Sequence, residues 1–192
     1  LVGSEMCIRD SDMSREFNVL SALDKNYKKS PTPIHYCDDI NIIGSDFYIM
    51  ERIRGTVLRN NNYQKILTDK TKYNFIASEF VDTLVELHKL NVEEIGLAEF
   101  GRPKGYCSRQ VQGWSKRYEN SKTSHIPEIN FVIKWLNENI SESEYVSLIH
   151  NDFKYDNLVI DSNDLSVKSV LDWEMCTTGD PFMDLGTSLA YW

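Results

Sequence analysis

The chain has 192 residues, of which 41% are hydrophobic and 26% are charged, and its formal net charge is -8. This composition is ordinary for a soluble globular protein, and the negative charge argues against nucleic acid or an anionic membrane as a partner, because both attract positive surfaces. No apolar run is long enough to span a membrane and no secretory leader opens the chain, so we expect a cytoplasmic protein.

The first predicted element is a helix that begins near Ser14. Residues 1–12 show no clean helical or strand period, so we interpret them as a non-native leader. Ser14 is a suitable N-cap, and apolar residues recur at helical spacing until Lys28 and Lys29. Taken alone, Glu16 in the first turns is typical of a solvated helix charge. The apolar face consists of Phe17, Leu20, Leu23 and Tyr27.

Two short strands are predicted after this helix. Pro31 and Pro33 break the helical pattern, because proline removes a backbone donor and restricts the residue before it. Residues 34–37 and 47–50 are rich in aromatic and β-branched side chains, and a turn through Gly44 separates them. These features predict a hairpin.

Two longer helices are predicted further along the chain. Apolar residues recur at helical spacing through residues 71–90, and a second such pattern runs through Pro127–Asn139. His88 ends the first apolar face, and we expect it to be a core or capping residue. The first face consists of Tyr73, Ile76, Phe80, Leu84 and Leu87, and the second of Ile129, Val132 or Ile133, Leu136 and Ile140.

Residues 101–122, the basic segment, lie between these two helices. The segment holds six cationic side chains and one acidic side chain, Glu119, in an otherwise acidic protein. A solvated helix face and a site for an anionic substrate both explain such a cluster, since grouped cations recognise phosphate and carboxylate. The cations are Arg102, Lys104, Arg109, Lys116, Arg117 and Lys122.

A strand, a polar loop and a hairpin come next, and together they predict an active site. Residues 146–149 and 157–160 have the pattern of buried strands on either side of the loop, and a third strand stops at Asp172. Such a hairpin returns Asp172 to the neighbourhood of the loop. Asp152 and Asn157 would then converge with it on one pocket.

The residue types in this loop and hairpin suit phosphoryl transfer from ATP. Asp152 would orient an acceptor hydroxyl and take its proton, while Asn157 and Asp172 would hold Mg²⁺ against the phosphates. Lys154 would neutralise charge on the transferred group, and His150 would brace the loop more than move protons. The loop taken alone is also explained as a polar turn between two strands that has no catalytic role.

These motifs resemble those of the aminoglycoside phosphotransferase and choline kinase-like family. The family pattern H-G-D-x-x-x-x-N is similar to residues 150–157, its D-W/F-E to residues 172–174, and its G-D-P-x-x-D-L to residues 179–185. The chain differs from the family pattern at one position, where Asn151 replaces the usual glycine. Asparagine tolerates a left-handed backbone better than most residues, so the loop geometry can survive.

The resemblance implies an α+β, protein-kinase-like fold with ATP and Mg²⁺ as cofactors. Residues 13–55 would form a partial N-terminal lobe and hinge. Residues 56–192 would form a mostly helical C-terminal lobe that carries the catalytic-loop hairpin. Glu174 would join the two metal ligands named above.

The same resemblance places the adenine site on the segment that leaves the second strand. Backbone groups near Glu51 and Ile53 would bond the adenine edge, and Met50 would line the back of the pocket. Glu16 would pair with the lysine that grips the ATP phosphates. Without the resemblance, residues 50–55 are typical of an apolar strand with a polar end.

The basic segment further resembles the kinase-like domain fused to some acyl-CoA dehydrogenases. Arg109, Lys116 and Arg117 would then meet a small-molecule hydroxyl substrate that is anionic, namely a hydroxyacyl compound or hydroxyacyl-CoA. The protein would be fused to or associated with an acyl-CoA dehydrogenase. The alternatives are a catalytically silent kinase-like module that binds nucleotide or a partner, an aminoglycoside or choline-type kinase, and a metal-dependent phosphohydrolase.

Parts of a complete kinase are not found in the sequence. Kinase-like folds place a glycine-rich turn and a lysine ahead of the helix that bears the paired glutamate. Residues 1–13 hold one glycine and no lysine, and the chain stops within the helix that begins near Asp184. We therefore expect this chain to turn over ATP poorly.

Overall fold

The computed structural model describes residues 12–59, 61–141 and 143–191, and the predicted leader lies outside them except for Asp12. Helices and small sheets are mixed along the chain, as the α+β prediction requires. The helices are α1 (Met13–Leu23), α2 (Ile40–Ile43), α3 (Tyr63–Ile66), α4 (Lys70–His88), α5 (Tyr106–Ser121), α6 (Pro127–Asn139) and α7 (Pro181–Ala190). The strands are β1 (Pro33–Cys37), β2 (Phe47–Met50), β3 (Thr56–Val57), β4 (Ser147–Ile149), β5 (Leu158–Ile160), β6 (Val167–Val170) and β7 (Thr177–Gly179).

Helix α1 begins and ends earlier than the sequence predicted. Its N-cap is Asp12, whose carboxylate accepts the Arg15 N–H at 2.9 Å, so the prediction of Ser14 as the cap is wrong. The helix ends at Leu23 and not at the predicted lysine pair. Tyr27 lies beyond the end of the helix but is still buried, and its hydroxyl donates to the carbonyl of Thr83 at 3.2 Å.

The predicted hairpin is confirmed, with one addition. Strands β1 and β2 pair antiparallel, with Tyr36 opposite Tyr48. The connection between them contains the short helix α2, which the sequence analysis did not predict. Gly44 closes α2 with φ 91°, a left-handed conformation that glycine adopts without steric cost.

Two further sheets hold the part of the molecule that carries the predicted active site. One has the order β3-β5-β6 and the other pairs β4 with β7, and all of these pairs are antiparallel. The chain reaches β3 through Gly55, where an added Cβ would lie 2.5 Å from the carbonyl oxygen of Ile160. Glycine is therefore needed for the segment after β2 to approach β5.

The two long helices occur where they were predicted, but they differ in burial. On α4, Ile76, Phe80, Leu84 and Leu87 are buried, whereas Tyr73 is 42% exposed and does not belong to the core. Helix α6 has the predicted bounds, yet it has no buried residue. No described helix has the length and apolar character needed to cross a membrane.

Candidate active site

The catalytic loop, residues 150–157, leaves β4 and enters β5 through a 3₁₀ turn at Tyr155–Asn157. Strands β5 and β6 pair with Leu158 opposite Val170, and the Leu171 N–H donates to the Asn157 carbonyl at 2.8 Å. The next residue, Asp172, has φ 69°. The hairpin therefore returns Asp172 to the end of the loop, as the strand pattern predicted.

Asp152 lies at the centre of a set of polar contacts. One of its carboxylate oxygens accepts from the Lys154 ammonium at 2.7 Å and from the Asn157 side-chain amide at 3.0 Å. The other oxygen accepts from the Tyr191 hydroxyl at 3.1 Å. Burial disfavours the charge on Lys154, but the hydrogen bond and charge of Asp152 outweigh it and raise the pKa of Lys154. Lys154 therefore carries its positive charge near neutral pH.

The carboxylates after β6 form the negative end of the site. Partial burial raises the pKa of Asp172, and the charges of Glu174 and Asp152 raise it further. A divalent cation would relieve this repulsion, and carboxylate with amide oxygens is the donor set that Mg²⁺ prefers. Asp172, Glu174 and the Asn157 amide thus fit the predicted metal. Across the described residues, no three His, Cys, Asp or Glu side chains are grouped as a metal site, so substrate or water oxygens would complete the shell.

His150 is fully buried and uses both ring nitrogens in hydrogen bonds. Its Nε2–H donates to the Leu171 carbonyl at 3.0 Å, and its Nδ1 accepts from the Asp152 N–H at 3.3 Å. Burial lowers the pKa of His150, so the ring is neutral at physiological pH. This geometry suits a residue that braces the loop beneath Asp152 and leaves no ring nitrogen for proton transfer.

Asn151 adopts φ 65°, the left-handed conformation expected where related loops have glycine. Its side chain also has partners that glycine would lack. The Tyr106 hydroxyl donates to Oδ1 at 3.0 Å, and Nδ2 donates to the Met175 carbonyl at 2.9 Å. Asn151 therefore links the catalytic loop both to α5 and to the segment that follows Asp172.

Asp184 is a site residue to which the sequence analysis gave no role. Its buried carboxylate accepts the backbone N–H groups of His150 at 2.7 Å and Asn151 at 2.6 Å, and the His88 ring donates to it at 2.9 Å. His88 is thus partly buried and paired with a polar partner. The G-D-P-x-x-D-L motif was the available signal for Asp184, because it starts a helix that packs under the loop.

Glu16 is buried, so its interpretation as a solvated helix charge is wrong. Its carboxylate accepts the Trp173 N–H at 3.1 Å and a hydrogen bond from the Tyr48 side chain. Burial raises the pKa of Glu16. The residue therefore joins α1 to the backbone between Asp172 and Glu174.

The predicted hinge leaves β2 at the edge of the first hairpin. The Glu51 N–H donates to the Thr32 carbonyl at 2.8 Å, which extends the ladder by one residue. Met50 is 38% exposed, and Ile53 is partly buried. This strand pairing occupies the Glu51 N–H, which leaves the Glu51 carbonyl and the Ile53 backbone for the predicted adenine contacts.

The basic segment folds mainly as α5, and its predicted substrate residues are held by local contacts. The Arg109 guanidinium donates to the carbonyls of Arg102 and Lys104 and so closes the loop before α5. The Arg117 guanidinium lies 4.6 Å over the ring of Trp114. Lys116 is exposed on the same helix. The segment is therefore a helix face that contacts the catalytic loop through Tyr106.

Comparison with known families identifies the family of this chain. A family model described as "Phosphotransferase enzyme family" matches residues 9–192. The chain belongs to this family, and its fold is the kinase-like fold of aminoglycoside phosphotransferases.

Curated relatives are much longer than this chain. Acyl-CoA dehydrogenase family member 11 from Homo sapiens is 36% identical over 174 residues, which cover 90% of this chain and 22% of that protein. Family member 10 from Mus musculus is 34% identical over 181 residues, which cover 94% of this chain and 17% of that protein. The matched region is thus a minor part of these relatives.

Solved structures show the same fold. A candidate aminoglycoside phosphotransferase from Ralstonia eutropha has a TM-score of 0.86 and 31% identity, over 94% of this chain and 55% of that one. A ternary complex of an aminoglycoside phosphotransferase with streptomycin and ATP has a TM-score of 0.65 at 19% identity, over 95% of this chain and 62% of that one. At 19% identity, the second match supports only the similarity of the fold.

Proposed function

We propose that the chain forms part of an ATP- and Mg²⁺-dependent phosphotransferase that acts on a hydroxyl of a small molecule. The observation that carries this proposal is the meeting of Asp152, Lys154, Asn157 and Asp172 at one loop and hairpin. A base, a cation and metal-binding oxygens are the groups that phosphoryl transfer uses.

We assign each of these side chains a role in phosphoryl transfer. Asp152 takes the proton of the acceptor hydroxyl as the acceptor oxygen bonds to the γ-phosphorus and the bond from that phosphorus to ADP breaks. Lys154, 2.7 Å from Asp152, stabilises negative charge on the transferred group. Mg²⁺, when bound, neutralises phosphate oxygens, and Asn157, Asp172 and Glu174 would hold it.

The nucleotide would lie between the two proposed lobes, residues 13–55 and 56–192. Backbone groups near Glu51 and Ile53 would receive the adenine, with Met50 beside it. Glu16, buried against the Trp173 backbone, would pair with a phosphate-binding lysine and so link the lobes. Membership of the phosphotransferase enzyme family supports nucleotide use.

For the acceptor we propose a hydroxyacyl compound or hydroxyacyl-CoA. The support is the likeness to acyl-CoA dehydrogenase family members and the cations Arg109, Lys116 and Arg117 on α5. By the same likeness, the native protein is fused to or associated with an acyl-CoA dehydrogenase. An aminoglycoside acceptor is the second candidate, favoured by the family of the structural neighbours.

Two variants test the site. In the 192-residue chain, Asp172→Ala should abolish Mg²⁺-dependent ATP binding in titration calorimetry, because a metal ligand acts on the bound ground state. Asp152→Asn should bind ATP within about threefold of wild type, because a base acts in the transition state. Equal loss of ATP affinity in both variants would contradict the assigned roles.

Turnover separates the proposal from its rivals. We expect ATP consumption to be low for this chain and to rise in a longer version that carries upstream sequence, since a glycine-rich turn and a lysine support the phosphates. Nucleotide binding without turnover in the longer protein would favour the silent module. Phosphate release without adenine-dependent binding would favour a phosphohydrolase.

Charge reversal tests the acceptor assignment. Arg109→Glu with Arg117→Glu should weaken acyl-CoA binding about tenfold and leave ATP binding unchanged, because clustered cations recognise phosphate. Lys134→Glu on the exposed face of α6 is the matched control. Unchanged acyl-CoA affinity in the double variant would show that α5 is only a solvated face.

A further inference from the structure

Helix α1 contacts both ends of the turn formed by residues 173–176. The turn is closed by a hydrogen bond from the Cys176 N–H to the Trp173 carbonyl at 3.0 Å. At its first residue, the Trp173 N–H donates to the Glu16 carboxylate at 3.1 Å. At its last residue, the Cys176 carbonyl accepts from the Arg15 guanidinium at 2.9 Å. Two neighbouring residues of α1 therefore hold the turn, one as acceptor and the other as donor.

The Arg15 guanidinium has a second anchor in the loop before α5. Its Nη1 donates to the Phe100 carbonyl at 3.5 Å, and its central carbon lies 3.9 Å over the Phe100 ring. The next residue, Gly101, packs so closely on β7 that an added Cβ would lie 2.5 Å from the Thr178 hydroxyl oxygen. This close approach brings the carbonyls of Phe100 and Cys176, from distant parts of the chain, to one guanidinium.

Arginine is well suited to these contacts. A guanidinium presents several N–H donors in one plane and stacks on aromatic rings, whereas the lysine ammonium is a point charge. Cys176 is fully buried and Phe100 is half-buried, so water does not readily replace the guanidinium as the donor to their carbonyls. Loss of Arg15 should therefore loosen the turn.

The turn carries part of the proposed metal site. Glu174 lies within it, and Asp172 precedes it with φ 69°, a left-handed conformation that few residues other than glycine adopt. The catalytic loop contacts the same turn through the Asn151 side chain, which donates to the Met175 carbonyl at 2.9 Å. The positions of both carboxylates thus depend on the contacts that hold the turn.

We propose that Arg15 is a positioning residue for the metal site. Together with Glu16 it fixes the turn 173–176 against α1. It thereby sets where the carboxylates of Asp172 and Glu174 meet the metal. The proposal rests on the phosphotransferase function given above, because Mg²⁺ is part of that function.

Thiol labelling of the 192-residue chain tests the attachment without any ligand. In Arg15→Gln, iodoacetamide should label Cys176 roughly tenfold faster under native conditions, because the turn loses a hydrogen bond to a charged group and opens more often. Peptide mass spectrometry measures the rate at this buried thiol. Ile76→Val removes one buried methylene from α4 and is the control for general loss of stability. Cys176 should label more slowly in this control than in Arg15→Gln.

Titration calorimetry with ATP, with and without Mg²⁺, tests the effect on the metal. Arg15→Gln should weaken the binding of Mg²⁺-ATP roughly tenfold and leave metal-free ATP unchanged, because residues that orient metal ligands support metal affinity. Charge alone predicts the larger loss for metal-free ATP, which is the more negative ligand.

Two further variants sharpen this titration. Arg15→Lys keeps the charge but cannot bridge two carbonyls, so its Mg²⁺ effect should be intermediate, and it covers the case in which Arg15→Gln does not fold. Lys25→Gln, exposed just past the end of α1, is the charge-matched control and should bind as wild type.

The outcomes separate this proposal from the proposed function. A wild type without Mg²⁺-dependent ATP binding would overturn the phosphotransferase function and the metal role of Arg15 together. Normal binding by wild type with an equal Mg²⁺ effect in Arg15→Gln would overturn the positioning role alone. Labelling of Cys176 in Arg15→Gln that is no faster than in Ile76→Val would do the same.

Discussion

The catalytic loop and α5 hold the two groups of polar residues that the sequence singled out, and they are supported in opposite ways. The backbone of His150 and Asn151 is held by Asp184, which follows them by 34 and 33 residues. Arg109 reaches carbonyls only five and seven residues away, and the partner of Arg117 is a ring on the same helix.

The two regions also differ in how deeply their hydrogen-bonded residues are buried. All residues of the catalytic loop except Asp156 are buried or half-buried, so the low-dielectric surroundings strengthen their hydrogen bonds and make an unpaired group costly. The side chains of α5 are mostly exposed, so water can replace each partner at little cost. Buried hydrogen bonds therefore hold the loop in place, whereas the exposed charges of α5 can exchange their partners for water at little cost.

The largest expected effect comes from removing the support under the loop. Asp184→Ala leaves two buried N–H groups and the His88 ring without their acceptor, and should cost roughly 3–5 kcal/mol of unfolding free energy. Urea denaturation measures this cost, with Asp156→Ala as an exposed control in the same loop. A loss of unfolding free energy below about 1 kcal/mol, the value of one ordinary hydrogen bond, would show that the loop is no more strongly supported than α5.

A smaller effect is expected at the link between the loop and α5. Asn151→Gly keeps the left-handed backbone but loses the bonds to Tyr106 and Met175, at a cost of about 1–3 kcal/mol. Asn151→Ala should cost about 1 kcal/mol more, because alanine resists positive φ. A double-mutant cycle with Tyr106→Phe isolates the link between the side chains. Zero coupling between the two substitutions would show that the link contributes nothing.

The buried carboxylate of Glu16 should make stability depend on pH. Its pKa is raised in the folded protein, so the folded state binds more protons above the ordinary glutamate value of 4.5. The contribution of Glu16 to stability is full below that value and is lost as pH rises through the folded pKa. Denaturation of wild type and Glu16→Gln from pH 4 to about 8 measures the difference. We expect a flatter profile for Glu16→Gln, and a steeper one would contradict burial as the cause.

The smallest effect is expected on α5. Arg117→Gln removes only the exposed contact with Trp114 and should change the unfolding free energy by no more than about 1 kcal/mol. Thermal unfolding at matched protein concentration is sufficient to detect a larger change. A loss comparable to that of Asp184→Ala would mean that α5 is as strongly organised as the catalytic loop.

Local sequence patterns determined much of the fold and of the candidate site. The bounds of α6, most of α4 and the hairpin that returns Asp172 to the loop were predicted correctly, because capping, periodicity and turn chemistry act over a few residues. The left-handed backbone at Asn151 was also anticipated, since few residue types adopt it. The motif spacing was enough to indicate the family.

Only the tertiary structure decided which faces are buried and which residues support the site. No residue of α6 is buried, whereas Glu16 is buried against Trp173, 157 residues further along the chain. Likewise, Asp184 becomes a loop support only because α7 packs beneath β4. An amphipathic pattern indicates which face of a helix prefers burial. The element that covers this face comes from a distant part of the chain, and contacts between residues far apart in the sequence leave no local pattern.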